Sequence, residues 1–281
     1  MKHPKHLDPQ IGTIAQQLSE NIRTLQMQAA PIALEIQRTA PIIQEIANSF
    51  IKKLIDVSPA IIQIGKALAE LPEKYRKSLL IIAEHGWYFY DENMPVDFPM
   101  TLAKMVIDGE SEKAEEVLEG YITSNLEPIE SFLTAKFSNR KKILHAVFAA
   151  HRAEQYELSV PTLLAQVDGV CRDLTGYHLF MRAKGISKPQ TSTYVEGFDQ
   201  DLSDAILMAP LGENLSITKN QKERGEGFTQ LNRHMIMHGE SLDYGTRRNS
   251  LKAISLLNYA AQVLTPVEMS DASTYDQIPK E

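Results

Sequence analysis

Apolar residues recur along the chain at the spacing of an α-helix. Near the amino-terminus they stand three or four positions apart, as in Ile14, Leu18, Ile22 and Leu25. The same spacing lines one face of residues 251–264. No segment alternates apolar and polar residues over the length of a β-strand. The pattern therefore predicts an all-α protein.

Three related segments in the first quarter of the chain each begin with a small residue followed by proline. They start at Ala30, at Ala40 and, more loosely, at Ser58. Proline is tolerated in the first turn of a helix and kinks a helix interior, so each segment predicts a helix start or a kink. The repeat is too short and irregular for a solenoid. It indicates additional amino-terminal helices that form either an interaction arm or a layer of the core.

The middle of the chain predicts a series of shorter helices separated by polar segments. A break is expected near Pro161, and the polar stretch 184–200 is typical of a mobile loop. The predicted helices cover 74–89, 100–107, 112–122, 125–136, 139–154, the residues after Pro161, and 201–208.

The predicted elements group into three helical regions and a tail. An amino-terminal arm or layer covers 1–75, and a helical middle region covers 76–138. A helical bundle domain follows at 139–265, and 266–281 is a flexible tail.

Composition is typical of a globular protein and argues against a membrane-spanning or disulfide-rich one. Apolar residues make up 43% of the chain, enough for a core, and no apolar run is long enough to cross a bilayer. The amino-terminus does not resemble a secretory signal, and one cysteine permits no disulfide within the chain. These features favour the cytoplasm and indicate no membrane partner.

Charge is distributed in blocks along a chain with a net charge of -7. Twelve acidic residues and two lysines fall between Glu84 and Glu130, whereas five basic residues and no acid fall between 131 and 152. These blocks are either solvated helix faces or, in a nucleic-acid-binding protein, a basic wall with the acidic block facing elsewhere.

Candidate chemistry lies in the segment from Leu231 to Gly239. Arg233 and His238 are five positions apart, about 140° around an ideal helix, so they do not share a face. Gly239 is expected to end or loosen the helix, which would allow the imidazole to turn towards the guanidinium. His234 and His238 are four positions apart and share a face.

These residue types suit cleavage of RNA by internal attack. The reaction needs a base for the 2′-hydroxyl, an acid for the leaving 5′-oxygen and a cation for the charge on phosphorus. Histidine can serve as base or acid near neutral pH, and arginine binds phosphate oxygens in pairs. One Arg–His pair does not fill all three roles. Two pairs meeting across a dimer axis would.

The segment from Arg233 to His238 resembles the motif of HEPN-type ribonucleases. In that motif an arginine is followed by a polar residue, then by three to five residues and a histidine, and here His234 takes the polar position. The likeness extends over about 225–262. It implies a helical bundle in which Arg233 binds the phosphate, His238 acts as base or acid and His234 assists.

The resemblance also implies an activity and partners. The expected enzyme is a homodimeric endoribonuclease that needs neither a metal nor another cofactor, with its active site between the protomers. Its products would be a 2′,3′-cyclic phosphate and a 5′-hydroxyl. Its role would be that of a toxin or phage-defence effector, with an antitoxin or defence-system protein as a possible partner.

Other interpretations of the same residues stay open. Arg233 and His238 could make ordinary surface or capping contacts, and His234 with His238 has the spacing of a zinc-binding pair without a visible third ligand. The whole chain could instead be a non-catalytic binding or regulatory module that recruits a protein partner through its amino-terminal helices.

Six further residues are candidates for contact with RNA. Two arginines follow the motif at a predicted helix start, where phosphate binding is favourable, although the same segment could be a solvated helix entry capped by Asn249 or Ser250. Others lie beside the motif or on the basic helix. The candidates are Asn232, Tyr244, Arg247, Arg248, Lys141 and His145.

Several neighbours of these candidates are expected to be structural. Phe148 lies near Lys141 and His145 on the helical wheel, but core packing is favoured for it, as for His151. Asp168 and Asp173 are expected to form ion pairs, with Arg172 beside them.

Overall fold

The computed structural model describes residues 59–91, 95, 97–198 and 202–265. The chain divides into two compact units, and the predicted boundary at 138/139 falls inside the second. The described parts of the first unit lie within 59–82, 90–114 and 198–207, and those of the second within 83–89, 115–197 and 208–265.

The described residues form ten α-helices and one short 3-10 helix, with no β-strand among them, which confirms the all-α prediction. The 3-10 helix covers Ser138–Arg140. The α-helices are α1 (Pro59–Glu84), α2 (Phe98–Ile107), α3 (Ser111–Ser124), α4 (Leu126–Lys136), α5 (Lys141–Arg152), α6 (Tyr156–Thr175), α7 (Thr191–Glu196), α8 (Leu202–Gly212), α9 (Arg233–Met237) and α10 (Arg247–Val263).

Helices α6 and α10 form the centre of the second unit, where they pack against each other most extensively. Helix α5 packs on α6, α4 packs on α5, and the short helix α9 also contacts α6. Every residue of α10 from Ser250 to Ala261 is buried. Because α10 is enclosed on all sides, its sequence carries small polar residues among the apolar ones instead of one exposed polar face.

The first unit contains most of α1 together with α2. Helix α2 starts directly after Asp97 with a proline in its first turn, where a missing N–H costs nothing. It buries Pro99, Leu102 and Ala103. Burial, together with the nearby Tyr90, raises the pKa of Tyr75 to about 12.

The helix predicted at 74–89 ends earlier than expected. Helix α1 stops at Glu84, and Gly86 follows with φ of +85°, a left-handed conformation that favours glycine. Trp87, Tyr88 and Phe89 are buried but lie outside any helix. The ring of Tyr88 lies 5.8 Å from that of Tyr259 on α10, so packing on α10 holds this segment.

The break predicted near Pro161 lies earlier in the chain, at 153–155. Helix α6 continues through Pro161, which removes the N–H that would bond to the carbonyl of Glu157. The hydroxyl of Tyr244 donates to that carbonyl instead, at 3.1 Å. Tyr244 therefore satisfies the carbonyl that Pro161 leaves without a helical hydrogen bond.

Two other predicted boundaries are corrected. The stretch 184–200 contains α7, so it is not a loop throughout. Helix α10 begins at Arg247 and is capped by Thr246, whose side chain accepts a hydrogen bond from the backbone N–H of Asn249. Neither Asn249 nor Ser250 is the cap.

The amino-terminal predictions up to residue 58 and the tail at 266–281 lie outside the described residues. None of the described helices has both the length and the apolar character needed to cross a bilayer.

Candidate active site

Asn232 fixes the start of the segment that carries the predicted catalytic residues. Its Oδ1 accepts a hydrogen bond from the N–H of Met235 at 3.0 Å and thereby caps α9. Its Nδ2 donates to the carbonyls of Ser216 at 2.7 Å and Lys219 at 2.9 Å. The residue is 2% exposed. This corrects the prediction that Asn232 contacts RNA, since it is buried and its amide hydrogens are used.

Gly239 ends the segment, as predicted. Helix α9 stops at Met237, and Gly239 follows with φ of +70°. The N–H groups of Glu240 and Ser241 both donate to the carbonyl of Met235, at 2.8 and 3.1 Å. The last turn of α9 is therefore closed by backbone bonds, with His238 at its end.

The two imidazoles of the segment lie side by side. The ring centroids of His234 and His238 are 6.0 Å apart, and the ring planes differ by 6°. Their predicted placement on one face is therefore confirmed. His234 is half-buried and His238 is exposed, so the edge of the pair is open to solvent.

The guanidinium of Arg233 contacts an aromatic ring. It lies over the ring of Phe180, 5.6 Å from the ring centre, in a cation–π contact. No contact joins Arg233 to His238 within the described residues, so the expected turn of the imidazole towards the guanidinium does not occur. No described carboxylate forms an ion pair with Arg233 either, and its charge is available to a ligand.

His234 lies in a strongly positive environment. Burial is the largest influence lowering its pKa, followed by the positive charge of Arg233, the neighbouring His238, and the charges of Arg182 and Arg224. All of these favour the neutral imidazole. His234 is therefore unprotonated at neutral pH and available as a proton acceptor.

Arg182 and Arg224 were not predicted from the sequence. Arg182 donates to the carbonyls of Ser187 and Thr218 and to Oδ1 of Asn214, and it pairs with Glu223. These contacts join the loop between α6 and α7 to the loop between α8 and α9.

Arg224 pairs with Glu240 at 2.9 Å. In the sequence it lies beside Gly225 and Gly227, in a segment without a predicted helix. The only available signal was its position nine residues before Arg233.

The two arginines predicted at the start of α10 are held by acidic residues. Arg247 pairs with Glu119 at 3.1 Å and donates to Thr123 Oγ1. Arg248 pairs with Glu115 at 3.2 Å and also with Glu119. Binding of RNA by either arginine would have to compete with these contacts.

On the basic helix α5, His145 and Arg152 both contact Glu130 of α4, His145 through its Nδ1 at 2.8 Å. Burial opposes ionisation of Glu130, but hydrogen bonds from His145 and Arg152 outweigh it and lower the pKa of that carboxyl. Lys141 is exposed and forms no ion pair with another described residue. It is the candidate on α5 whose charge is least compensated.

Four of the twelve carboxylates of the acidic block pair with cations from α5, from α10 and from the loop before α9, so these four do not face away from the basic residues. The pairs are Glu84 with Lys219, Glu115 with Lys252 and Arg248, Glu119 with Arg247 and Arg248, and Glu130 with Arg152.

Two neighbours have the predicted structural roles. Phe148 is buried in the core. His151 is also buried, and its Nδ1 lies 2.8 Å from the hydroxyl of Ser250.

The two aspartates contact residues other than Arg172. Asp173 forms an ion pair with Arg140, and Oδ2 of Asp168 lies 2.7 Å from Nδ1 of His178. Asp168 also accepts a hydrogen bond from the N–H of Phe180. This bond helps to position the phenyl ring that lies under the guanidinium of Arg233.

The spacing of His234 and His238 also suggested zinc. In the part of the chain that the structure describes, no three His, Cys, Asp or Glu side chains are grouped so as to hold a metal ion. The pair therefore has no third described ligand beside it.

Comparison with known proteins found no matching family model, no matching curated protein and no matching solved structure.

Proposed function

We propose that the protein is a metal-independent endoribonuclease with its active site on α9. The observation that carries this proposal is the combination on one short helix of an arginine without a described carboxylate partner and two parallel imidazoles. Such a set supplies a cation for phosphate together with two groups that can exchange protons near neutral pH. The resemblance of Arg233–His238 to the HEPN motif supports the same chemistry.

Each residue has a defined role in the proposed reaction. His234, neutral at pH 7, takes the proton of the ribose 2′-hydroxyl. The 2′-oxygen then forms a bond to phosphorus while the bond from phosphorus to the 5′-oxygen breaks. His238 donates a proton to that 5′-oxygen, and Arg233 binds the non-bridging oxygens. The products are a 2′,3′-cyclic phosphate and a 5′-hydroxyl.

The spacing of the two imidazoles is compatible with His234 acting as the base and His238 as the acid. With ring centroids 6.0 Å apart, both ring edges can reach oxygens of one phosphodiester, because each hydrogen bond spans about 2.9 Å. Two protonated imidazoles at this distance would repel each other. The proposed mechanism needs only one of the two rings to carry the extra proton at a time.

Dimerisation and cellular role belong to the same proposal and rest on the resemblance. With acid, base and cation available on one chain, the chemistry does not require a second protomer. A homodimer would instead widen the RNA-binding surface. A toxin or phage-defence role, with an antitoxin or defence-system partner, fits an endoribonuclease of this kind.

The test is cleavage of RNA by the purified full-length chain in the presence of EDTA. We expect fragments ending in cyclic phosphate. Replacing His234 or His238 by alanine should slow cleavage about 100-fold or more, the usual effect of losing a general acid or base. Arg233→Ala should do the same, whereas Arg172→Ala, which removes an exposed arginine of α6, should leave the rate unchanged.

Three results would contradict the proposal: a strict requirement for a metal ion, equal cleavage of DNA, or full activity after His238→Ala. If the double variant of Arg233 and His238 kept the cellular phenotype of the unaltered protein, a binding module that acts through a protein partner would be the better description.

A further inference from the structure

The ion pair between Arg224 and Glu240 lies beside the candidate active site and differs from the other ion pairs there. The side chain of Arg224 is 7% exposed, and that of Glu240 is 42% exposed. Arg224 is close enough to His234 to affect its protonation. A buried cation thus depends on a carboxylate that remains half in water.

Arg182 provides the contrast. Its guanidinium donates to two backbone carbonyls and to an asparagine side chain in addition to its carboxylate partner, so removing Glu223 would leave most of its contacts in place. Among the described residues, Arg224 has Glu240 as its one ion-pair partner. An anion that replaced Glu240 would therefore find the donors of Arg224 available.

Exchange of Glu240 for a phosphate is physically reasonable. A buried guanidinium needs a counter-charge, and phosphate oxygens fit it with the same paired geometry as a carboxylate. The released carboxylate loses little hydration, because it is already half exposed. Glu240 also follows Gly239, where φ is +70° and a Cβ added to the glycine would meet no atom within 4 Å.

We infer that Arg224 is a second phosphate-binding residue of this site and that Glu240 is an internal anion that occupies it until a nucleic-acid phosphate displaces the carboxylate. The inference rests on the proposed function, since it assigns to the same site a second contact with the substrate backbone. It makes Glu240 a competitor that weakens binding of nucleic acid.

The test uses a short single-stranded oligodeoxyribonucleotide, which carries the same phosphates but no 2′-hydroxyl and so cannot undergo the internal attack. Its affinity for the full-length protein is measured by fluorescence anisotropy. Glu240→Gln should tighten binding about three- to tenfold, the effect expected for removing one partly exposed competing ion pair. Glu226→Gln is the matched control, because it removes an exposed carboxylate two residues from Arg224.

A double-variant cycle locates the effect. Arg224→Gln should weaken binding, Arg224→Lys should weaken it less, and Glu240→Gln should have no more effect than Glu226→Gln once Arg224 is replaced. The inference is overturned if Glu240→Gln and Glu226→Gln behave alike in the otherwise unaltered chain. It is also overturned if neither the unaltered protein nor the Glu240→Gln variant binds the oligonucleotide. The comparison of the two glutamine variants stands even if changes at Arg224 impair folding.

Cleavage of RNA by the same proteins separates this inference from the proposed function. If the oligonucleotide binds as expected but RNA is not cleaved, the enzyme proposal fails and the phosphate site stands. If RNA is cleaved but Glu240→Gln does not differ from Glu226→Gln, the enzyme proposal stands and the role of Arg224 fails.

Discussion

Replacement of Asn232 tests how much its helix cap and its side-chain hydrogen bonds contribute to the free energy of unfolding of the second unit. Asn232→Ala removes the helix cap, worth about 1 kcal/mol. It also removes two buried hydrogen bonds to the carbonyls of Ser216 and Lys219, worth about 1 kcal/mol each. The second unit should therefore lose about 3 kcal/mol of stability, which corresponds to a fall in Tm of roughly 6 to 12 °C.

Two further substitutions divide that loss into its parts. Asn232→Ser keeps an oxygen that can cap α9 but has no amide donors, so it should cost about 2 kcal/mol. Asn232→Asp keeps the shape and the capping oxygen but places a second carboxylate oxygen against two carbonyls. Although aspartate is a favoured cap, we expect this variant at pH 7 to be no more stable than the alanine variant.

The aspartate variant also has a characteristic pH dependence. Its folded state gains a hydrogen-bond donor on protonation, so the pKa of the introduced carboxyl is raised by folding. Stability relative to the unaltered protein should therefore increase as pH falls towards the ordinary pKa of aspartate, about 4.

The assay is urea-induced unfolding followed by the fluorescence of Trp87. This is the one tryptophan of the sequence, it is 1% exposed, and it lies in the same unit as Asn232. If Asn232→Asp were as stable as the unaltered protein at pH 7, the amide of Asn232 would not face two carbonyls. The account of how the segment is held would then be wrong.

Two other predictions follow from named residues. Burial above all, with Arg247 and Arg152 nearby, lowers the pKa of His151 from 6.5 to about 4, so folding should lose up to about 3 kcal/mol of stability as pH falls from about 6.5 to 4. His151→Gln should flatten urea midpoints measured across that range, and an unchanged slope would contradict the assignment. Gly239→Ala should destabilise the protein by about 1 kcal/mol, because φ is +70° there and no atom crowds the position. Gly225→Ala, at an equally open position without a positive φ, should cost less in the same urea titration, and equal losses would argue against backbone strain at Gly239.

Local sequence signals were sufficient to predict most of the helices and part of the geometry of the candidate site. Apolar periodicity predicted most of the helices because they bury one face, although α10 is buried on all sides from Ser250 to Ala261. Gly239 ended α9 because glycine readily adopts the left-handed conformation that it has there. The common face of His234 and His238 followed from helix geometry alone, as did the placement of Phe148 in the core.

Other features depended on residues distant in sequence. A break was expected at Pro161 because proline removes a helical hydrogen bond, yet a hydroxyl 87 positions away from Glu157 satisfies the freed carbonyl. The helix predicted over 74–89 included the aromatic residues at its end. These residues are buried outside any helix, with Tyr88 packed on Tyr259 of α10, and Gly86 was the local signal that the helix had ended.

Charge patterning was the least reliable guide to the site. Blocks of like charge suggested separate acidic and basic faces, but Glu119 lies 128 positions from Arg247 and still pairs with it. Three-dimensional pairing neutralises cations that the sequence presented as a binding surface. This explains why Arg247 and Arg248 looked available in the sequence and are engaged in the fold.

The same pairing restricts where a nucleic-acid phosphate would bind favourably. At α9, Arg233 has no described carboxylate partner, and the counter-charge of Arg224 is half exposed. On the basic helix α5, Glu130 contacts His145 and Arg152, whereas Lys141 forms no ion pair with another described residue. A small cationic centre next to two proton-exchanging rings is poorly suited to holding a long polyanion and well suited to acting on one phosphodiester. The uncompensated charge of Arg233 at α9 is compatible with the proposed role of this helix in RNA cleavage.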